Sequence, residues 1–190
     1  MKRKLLLFGF ALVASNLLYA QTITKQEKGY FNLTELGYTV GNHTYDIQVS
    51  PNRYDGGTTG AYSLSLRNIN GVFFTNKISV GAGVGLENYT DNDNYFTNNN
   101  FFQLFLDVRY YFKNDNNTFF AYGDAGTGLK IDDNFSKGQM FNLGGGYKFK
   151  VGSKMAMLGS LGYSDQSIKD EPSITRNRYY GLAVKVGLLF

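Results

Sequence analysis

Residues 101–112 read Phe101-Phe-Gln-Leu-Phe-Leu-Asp-Val-Arg-Tyr-Tyr-Phe112, or FFQLFLDVRYYF. Leu104, Leu106, Val108, Tyr110 and Phe112 fall at every second position, with Gln103, Asp107 and Arg109 between them. A helix turning every 3.6 residues would scatter these charges among the leucines. An extended strand puts the charges on one face and the apolar side chains on the other.

The same period recurs along the chain. In ISVGAGVGLENY, Ile78, Val80, Ala82, Val84 and Leu86 oppose Ser79, Gly81, Gly83, Gly85 and Glu87. In MFNLGGGYKFKV, Phe141, Leu143, Tyr147, Phe149 and Val151 oppose Asn142, Lys148 and Lys150. Residues 62–69, 119–129, 155–164 and 179–190 are weaker matches, with Arg67, Asp124 and Lys185 on their polar faces. The segment 30–38 fits least well: Phe31 and Leu33 share a face with Glu35, while Leu36 and Tyr38 lie opposite, and a bulge near Glu35 would restore the phase. Together these are eight strands of about the 9 to 11 residues that a tilted membrane strand needs.

The connections alternate long and short. The first, at about 22 residues, and the third, fifth and seventh are the long ones, rich in Asn, Asp and Gly. Pro51 and Pro172, the only prolines, fall in them, so every ladder keeps its full set of N–H donors.

The first 20 residues have the layout of a secretory signal: Lys2-Arg3-Lys4, an apolar run over 5–13, and Leu18-Tyr19-Ala20 before Gln21. A short periplasmic tail, 21–28, and a barrel domain, 29–190, follow. Without that leader the 19 Lys+Arg fall to 16 against an unchanged 15 Asp+Glu, and the net charge drops from +4 to +1. Nucleic-acid binding therefore gains no support from charge. With no cysteine there is no disulfide framework, thiolate metal site or cysteine nucleophile.

Alternation alone leaves the apolar face pointing either to lipid or into the cavity of a soluble barrel. Volume and charge separate the two. An eight-stranded barrel has just enough interior for side chains to fill, and Ser79, Gly81, Gly83 and Gly85 are small enough to line it, whereas the bulky faces of eight strands would overfill it. Arg67, Glu87, Asp107, Arg109, Asp124, Lys148, Lys150 and Lys185 would then form an inward charge network, with Glu35 as a further anion. Facing lipid, each cation near the midplane would cost about 2–4 kcal/mol. Lys185, among apolar and glycine neighbours in GLAVKVGLLF, must face the lumen, with Glu35 or Asp124 as its expected partner. The fold expected is an all-β, eight-stranded, antiparallel, up-and-down transmembrane β-barrel.

The leader, the eight segments, the stretch NGVFFTNKISVGAGVGLENY and the terminal alternation of Tyr180, Leu182, Val184, Val186, Leu188 and Phe190 resemble the small outer-membrane β-barrel domain family, as in the OmpA transmembrane domain and OmpX. The resemblance covers 29–190. It implies residence in the outer membrane of a Gram-negative bacterium, contact with outer-membrane lipids, and recognition of that C-terminal alternation by the barrel-assembly machinery. It also implies a monomer displaying polar loops, open to an extracellular ligand.

Chemical motifs are sparse. The only histidine, His43, lies in the long first connection near Asp46 and Ser50; some eight-stranded outer-membrane barrels modify lipid A with a histidine and a serine, but no such motif matches here, and an exposed loop histidine is expected. A calcium loop from Asp91 and Asp93 would require ligands or glycine where Tyr95, Phe96 and Phe102 stand. GAGVG and LGGGY open no helix and precede no Lys-Ser/Thr pair, so they make no phosphate loop. Tyr110–Phe112, Phe119, Phe120, Tyr179, Tyr180 and Phe190 are expected in interfacial girdles. The long connections carry nine acids and five bases, which disfavours anionic polymers. The expectation is a non-enzymatic scaffold without metal or cofactor. The alternatives are a narrow porin-like pore and, less favoured, a lipid A-modifying enzyme using His43.

Overall fold

The computed structural model describes residues 29–50, 53–91, 99–130, 136–152, 155–170 and 175–190. The signal, the tail and Asp93 with its neighbours lie outside these residues. The strands are β1 (Gly29–Ser50), β2 (Arg53–Phe73), β3 (Ile78–Asp91), β4 (Asn99–Tyr111), β5 (Thr118–Lys130), β6 (Ser136–Lys150), β7 (Ala156–Asp170) and β8 (Thr175–Leu189). Each pairs antiparallel with the next, and β8 returns to β1, closing the sheet into an up-and-down barrel. The final residue extends that seam, Phe190 N–H donating to Asn32 O at 2.8 Å and Asn32 N–H to Phe190 O at 3.1 Å.

Three short connections, 74–77, 112–117 and 151–155, lie at one end of the barrel. In the first, the Thr75 hydroxyl oxygen accepts from the backbone N–H groups of Lys77 and Ile78, holding the turn where the ladder has run out.

The outer wall is apolar throughout its middle. Leu106 and Leu182 are each 63% exposed, and Leu36, Leu64, Leu86, Leu143 and Leu161 stand out beside them. A continuous band of this size is what a membrane covers rather than what water tolerates. One polar patch interrupts it. Near the tight-turn end of β1 and β2, Asn32, Thr34, Asn68 and Asn70 bond to one another at 2.9–3.2 Å, so their polar atoms are supplied within the patch.

The first strand corrects the expectation of a bulge. The β1–β2 register runs without a shift from Gly29↔Phe73 to Gln48↔Tyr54. Phe31 and Leu33 instead point inward with Glu35, buried to 1%, 0% and 2% exposure. They belong to an apolar layer that fills the lumen at the tight-turn end, with Ile69, Phe105, Phe120 and Leu158 among its other members. Glycine on β3 makes room for it: a Cβ on Gly83 would overlap the Phe105 ring, so only Gly lets that ring lie across the interior.

The first connection is also corrected. β1 and β2 have 22 and 21 residues, against 13 to 15 in the other six strands, and their ladder continues to Ser50↔Arg53. Only about 9 to 11 residues are needed to cross a membrane; β1 stays paired to β8 as far as Ile47↔Thr175 and β2 to β3 as far as Ala61↔Asp91, so among the described residues it is the far end of this hairpin that runs beyond its neighbours.

Candidate functional site

Midway along the lumen, alternate residues of five strands meet in one layer of charge. Two cross-strand pairs set it up: Glu35 of β1 lies opposite Arg67 of β2, and Asp107 of β4 lies opposite Asp124 of β5. Like charges placed directly opposite repel; the Asp107 and Asp124 carboxyl groups remain in contact with each other, and each is bound by a different guanidinium. Arg67 Nη2 donates to Asp124 Oδ2 at 2.6 Å, while Arg109 Nε donates to Asp107 Oδ1 at 3.0 Å and Arg109 Nη2 to Glu35 Oε1 at 2.9 Å. Arg67 Nη1 lies 3.8 Å from Glu35 Oε2, and Lys185 Nζ lies 3.6 Å from Asp124 Oδ2. Three cations thus face three carboxylates, and Asn142 Nδ2 adds a bond to Asp124 at 3.2 Å.

All six charged groups are buried. Bringing such groups out of water costs several kcal/mol per ion, which close pairing and additional hydrogen bonds offset. Aromatic faces contribute: the Arg67 guanidinium carbon sits 4.1 Å from the Phe105 ring centre, and Lys185 Nζ sits 4.6 Å from that of Tyr122.

The other inward residues occupy different levels. Glu87 accepts from the Ser63 hydroxyl at 2.6 Å and from Gln103, and among the described residues it forms no ion pair. Lys148 is buried near the tight turns, with Nζ 5.6 Å from the Tyr111 ring centre. Lys150 does not join the interior network: as the last residue of β6 it is exposed, because the strand has reached the barrel mouth there.

His43 is not an exposed loop histidine. It lies on β1, fully buried, with its ring stacked on Tyr179 at 4.2 Å and 7° and Nε2 bonded to Asn177 Oδ1 at 3.0 Å. Asp46, three residues on, is on the opposite, exposed face of the strand, and Ser50 is exposed as well, so the trio is not brought together. Tyr179, Tyr89 and Phe101 continue the stack as a second inner layer, with Tyr89–Tyr179 ring centres 4.4 Å apart. Tyr111, Phe120 and Tyr179 therefore line the lumen and are not girdle residues, whereas Tyr110, Phe112 and Phe119 are exposed on the outer wall. This inner aromatic layer escaped the sequence reading. It has the same parity as Glu87 and Gln103, so extending those phases would have revealed it.

Leu182, Val184, Val186 and Leu188 stand exposed on the outer face of β8, with Tyr180 and Phe190 half-buried at the ends of the same row. Among the described residues no three His, Cys, Asp or Glu groups are placed to hold a metal ion.

A closed antiparallel barrel with an apolar outer wall and its charges inside has the fold of the small outer-membrane β-barrels. In barrels of that fold the tight turns lie at the periplasmic end and the longer loops at the extracellular one. No protein-family model and no curated relative matches the sequence. Among solved structures the chain is similar to Neisserial surface protein A (NspA), with a TM-score of 0.52 and 12% identity over 85% of this chain and 97% of that one. Two further similar structures are OprG from Pseudomonas aeruginosa (TM-score 0.46, 14% identity, 85% and 94% of the two chains) and the outer membrane protease OmpT from Escherichia coli (0.45, 6%, 90% and 99%). At 12% identity the likeness to NspA is one of fold alone.

Proposed function

We propose that this protein is a non-enzymatic, non-conducting barrel of the outer membrane, exported by its leader, inserted by the barrel-assembly machinery through the C-terminal alternation, and serving as a monomeric scaffold that presents polar extracellular segments. The observation that carries this reading is the layering of the lumen. The Arg67–Asp124 and Arg109–Glu35 pairs are buried between an aromatic layer above and an apolar layer below. An ion crossing the barrel would have to displace all three. The far end of the β1–β2 hairpin, which runs beyond the strands beside it, supplies the surface on which an extracellular ligand would act.

The purified protein in planar lipid bilayers is expected to give no steady conductance. Sustained unitary currents would replace this reading with that of a narrow pore. His43 is assigned a packing role because its Nε2 is engaged by Asn177 and its ring is covered by Tyr179. Lipid A from cells carrying His43→Ala should match that of wild-type cells by mass spectrometry.

A further inference from the structure

Both cations paired with Asp124 meet the same oxygen. Oδ2 accepts from Arg67 at 2.6 Å and from Asn142 at 3.2 Å, and Lys185 Nζ stands 3.6 Å from it. Oδ1 is buried and accepts from none of the described N–H or O–H donors. A buried acceptor without a donor is costly, and native interiors leave few of them. The donor to Oδ1 has to come from elsewhere.

The group that touches Asp124 is its cross-strand neighbour Asp107, a second buried acid. Arg109 Nε lies 3.0 and 3.1 Å from the two oxygens of Asp107, while Arg109 Nη2 reaches across to Glu35 on β1 at 2.9 Å. Among the described residues no ion pair joins Arg109 to Asp124 or Arg67 to Asp107, so no cation bridges the two acids. The register partners beside the pair are uncharged: Gly81 on β3, Asn142 on β6 and, beyond it, Ser164 on β7. The phenols of Tyr111 and Tyr122 face these acids as well, but neither donates to Oδ1.

Two carboxyl groups that share one site do not both ionise, because a proton held between them removes the repulsion. In this lumen the same proton supplies the missing bond. We propose that Asp107 and Asp124 share one proton at neutral pH, an O–H on Asp107 donating to Oδ1 of Asp124 in a charge-assisted hydrogen bond. The charge layer then sets three cations against two negative charges. When the proton passes to solvent at higher pH, two like charges are left in contact, and the interior becomes sensitive to pH. The folded barrel holds a proton that the unfolded chain gives up, since free aspartates ionise near pH ~4. The stabilisation is therefore complete below about pH 4 and is lost as the pH rises toward the point where the folded pair releases its proton.

The test is infrared spectroscopy of the folded full-length protein at neutral pH in a detergent free of ester groups. One carboxylic acid C=O band is expected, moving to lower frequency when the aspartate carboxyl carbons carry carbon-13 and staying in place when the glutamates do. Asp107→Asn and Asp124→Asn should each abolish it, whereas Asp165→Asn, on the outer wall, should leave it unchanged. Absence of any acid band, a band that moves with the glutamate label, or one that survives in Asp107→Asn would overturn the shared proton. Should the lumen variants not fold, the two labelled samples of the unsubstituted protein still decide. Unfolding in urea adds a second readout: between about pH 5 and 7 the folding constant should fall about tenfold per pH unit relative to that of Asp107→Asn. Parallel pH profiles for the two proteins would contradict the proposal.

Discussion

Replacing Asp124 with alanine is expected to destabilise the barrel by about 3–5 kcal/mol, the cost of removing one partner from a buried ion pair. Its Oδ2 accepts from Arg67 at 2.6 Å and faces Lys185 at 3.6 Å, so one truncation leaves two buried cations without their nearest anion. Equilibrium unfolding in urea, followed by the heat-modifiable shift on a gel, measures the loss. A second substitution tells pairing from packing: Asp124→Ala with Arg67→Met should recover much of the stability, because replacing both partners of a buried pair with uncharged side chains is often neutral. No recovery would mean that Asp124 acts through its shape and its Asn142 bond rather than through charge.

Arg109→Ala is expected to cost a similar amount, again about 3–5 kcal/mol, for the opposite reason. Arg109 bonds both Asp107 and Glu35, at 3.0 Å and 2.9 Å, and without it two buried carboxylates face each other across the lumen. Arg109→Lys should not restore full stability, since one ammonium lacks the planar fork that reaches both acids. Adding Glu35→Gln and Asp107→Asn to Arg109→Ala should restore more than the lysine does. If the lysine variant is as stable as the unsubstituted protein, a single point charge suffices and the fork geometry is irrelevant.

Much of the architecture was legible because lipid imposes one rule on every strand: the outer face is apolar and the inner face is whatever fits. Leu104, Leu106 and Val108 alternating with Asp107 and Arg109 express that rule directly, and the phase of Lys185 follows from its valine neighbours. The rule fails where lipid is absent on one side. Over residues 41–50 and 53–61 the alternation of apolar side chains fades as the hairpin climbs to the rim of the wall and past it, so a paired ladder looked like a loop and His43 looked exposed.

The rule is silent, too, about what fills the lumen. Phe31 and Leu33 seemed out of phase beside Glu35 because an inward face was equated with a polar one. Small residues such as Gly83 let a ring such as Phe105 fill the inner face, so aromatic layers and charges share it. Lys150 shows the opposite limit: it has the parity of an inward residue, but its strand ends at the mouth.

The central claim is that apolar side chains face lipid while the charges face inward. The chain contains no cysteine, so single cysteines carrying a spin label can be placed without background. Scanned through residues 180–188 in bilayers, labels at 180, 182, 184, 186 and 188 should be relaxed strongly by oxygen dissolved in the membrane, and those at 181, 183, 185 and 187 weakly, with a period of two. An inverted phase, placing 185 among the lipid-exposed labels, or no period at all, would contradict the account.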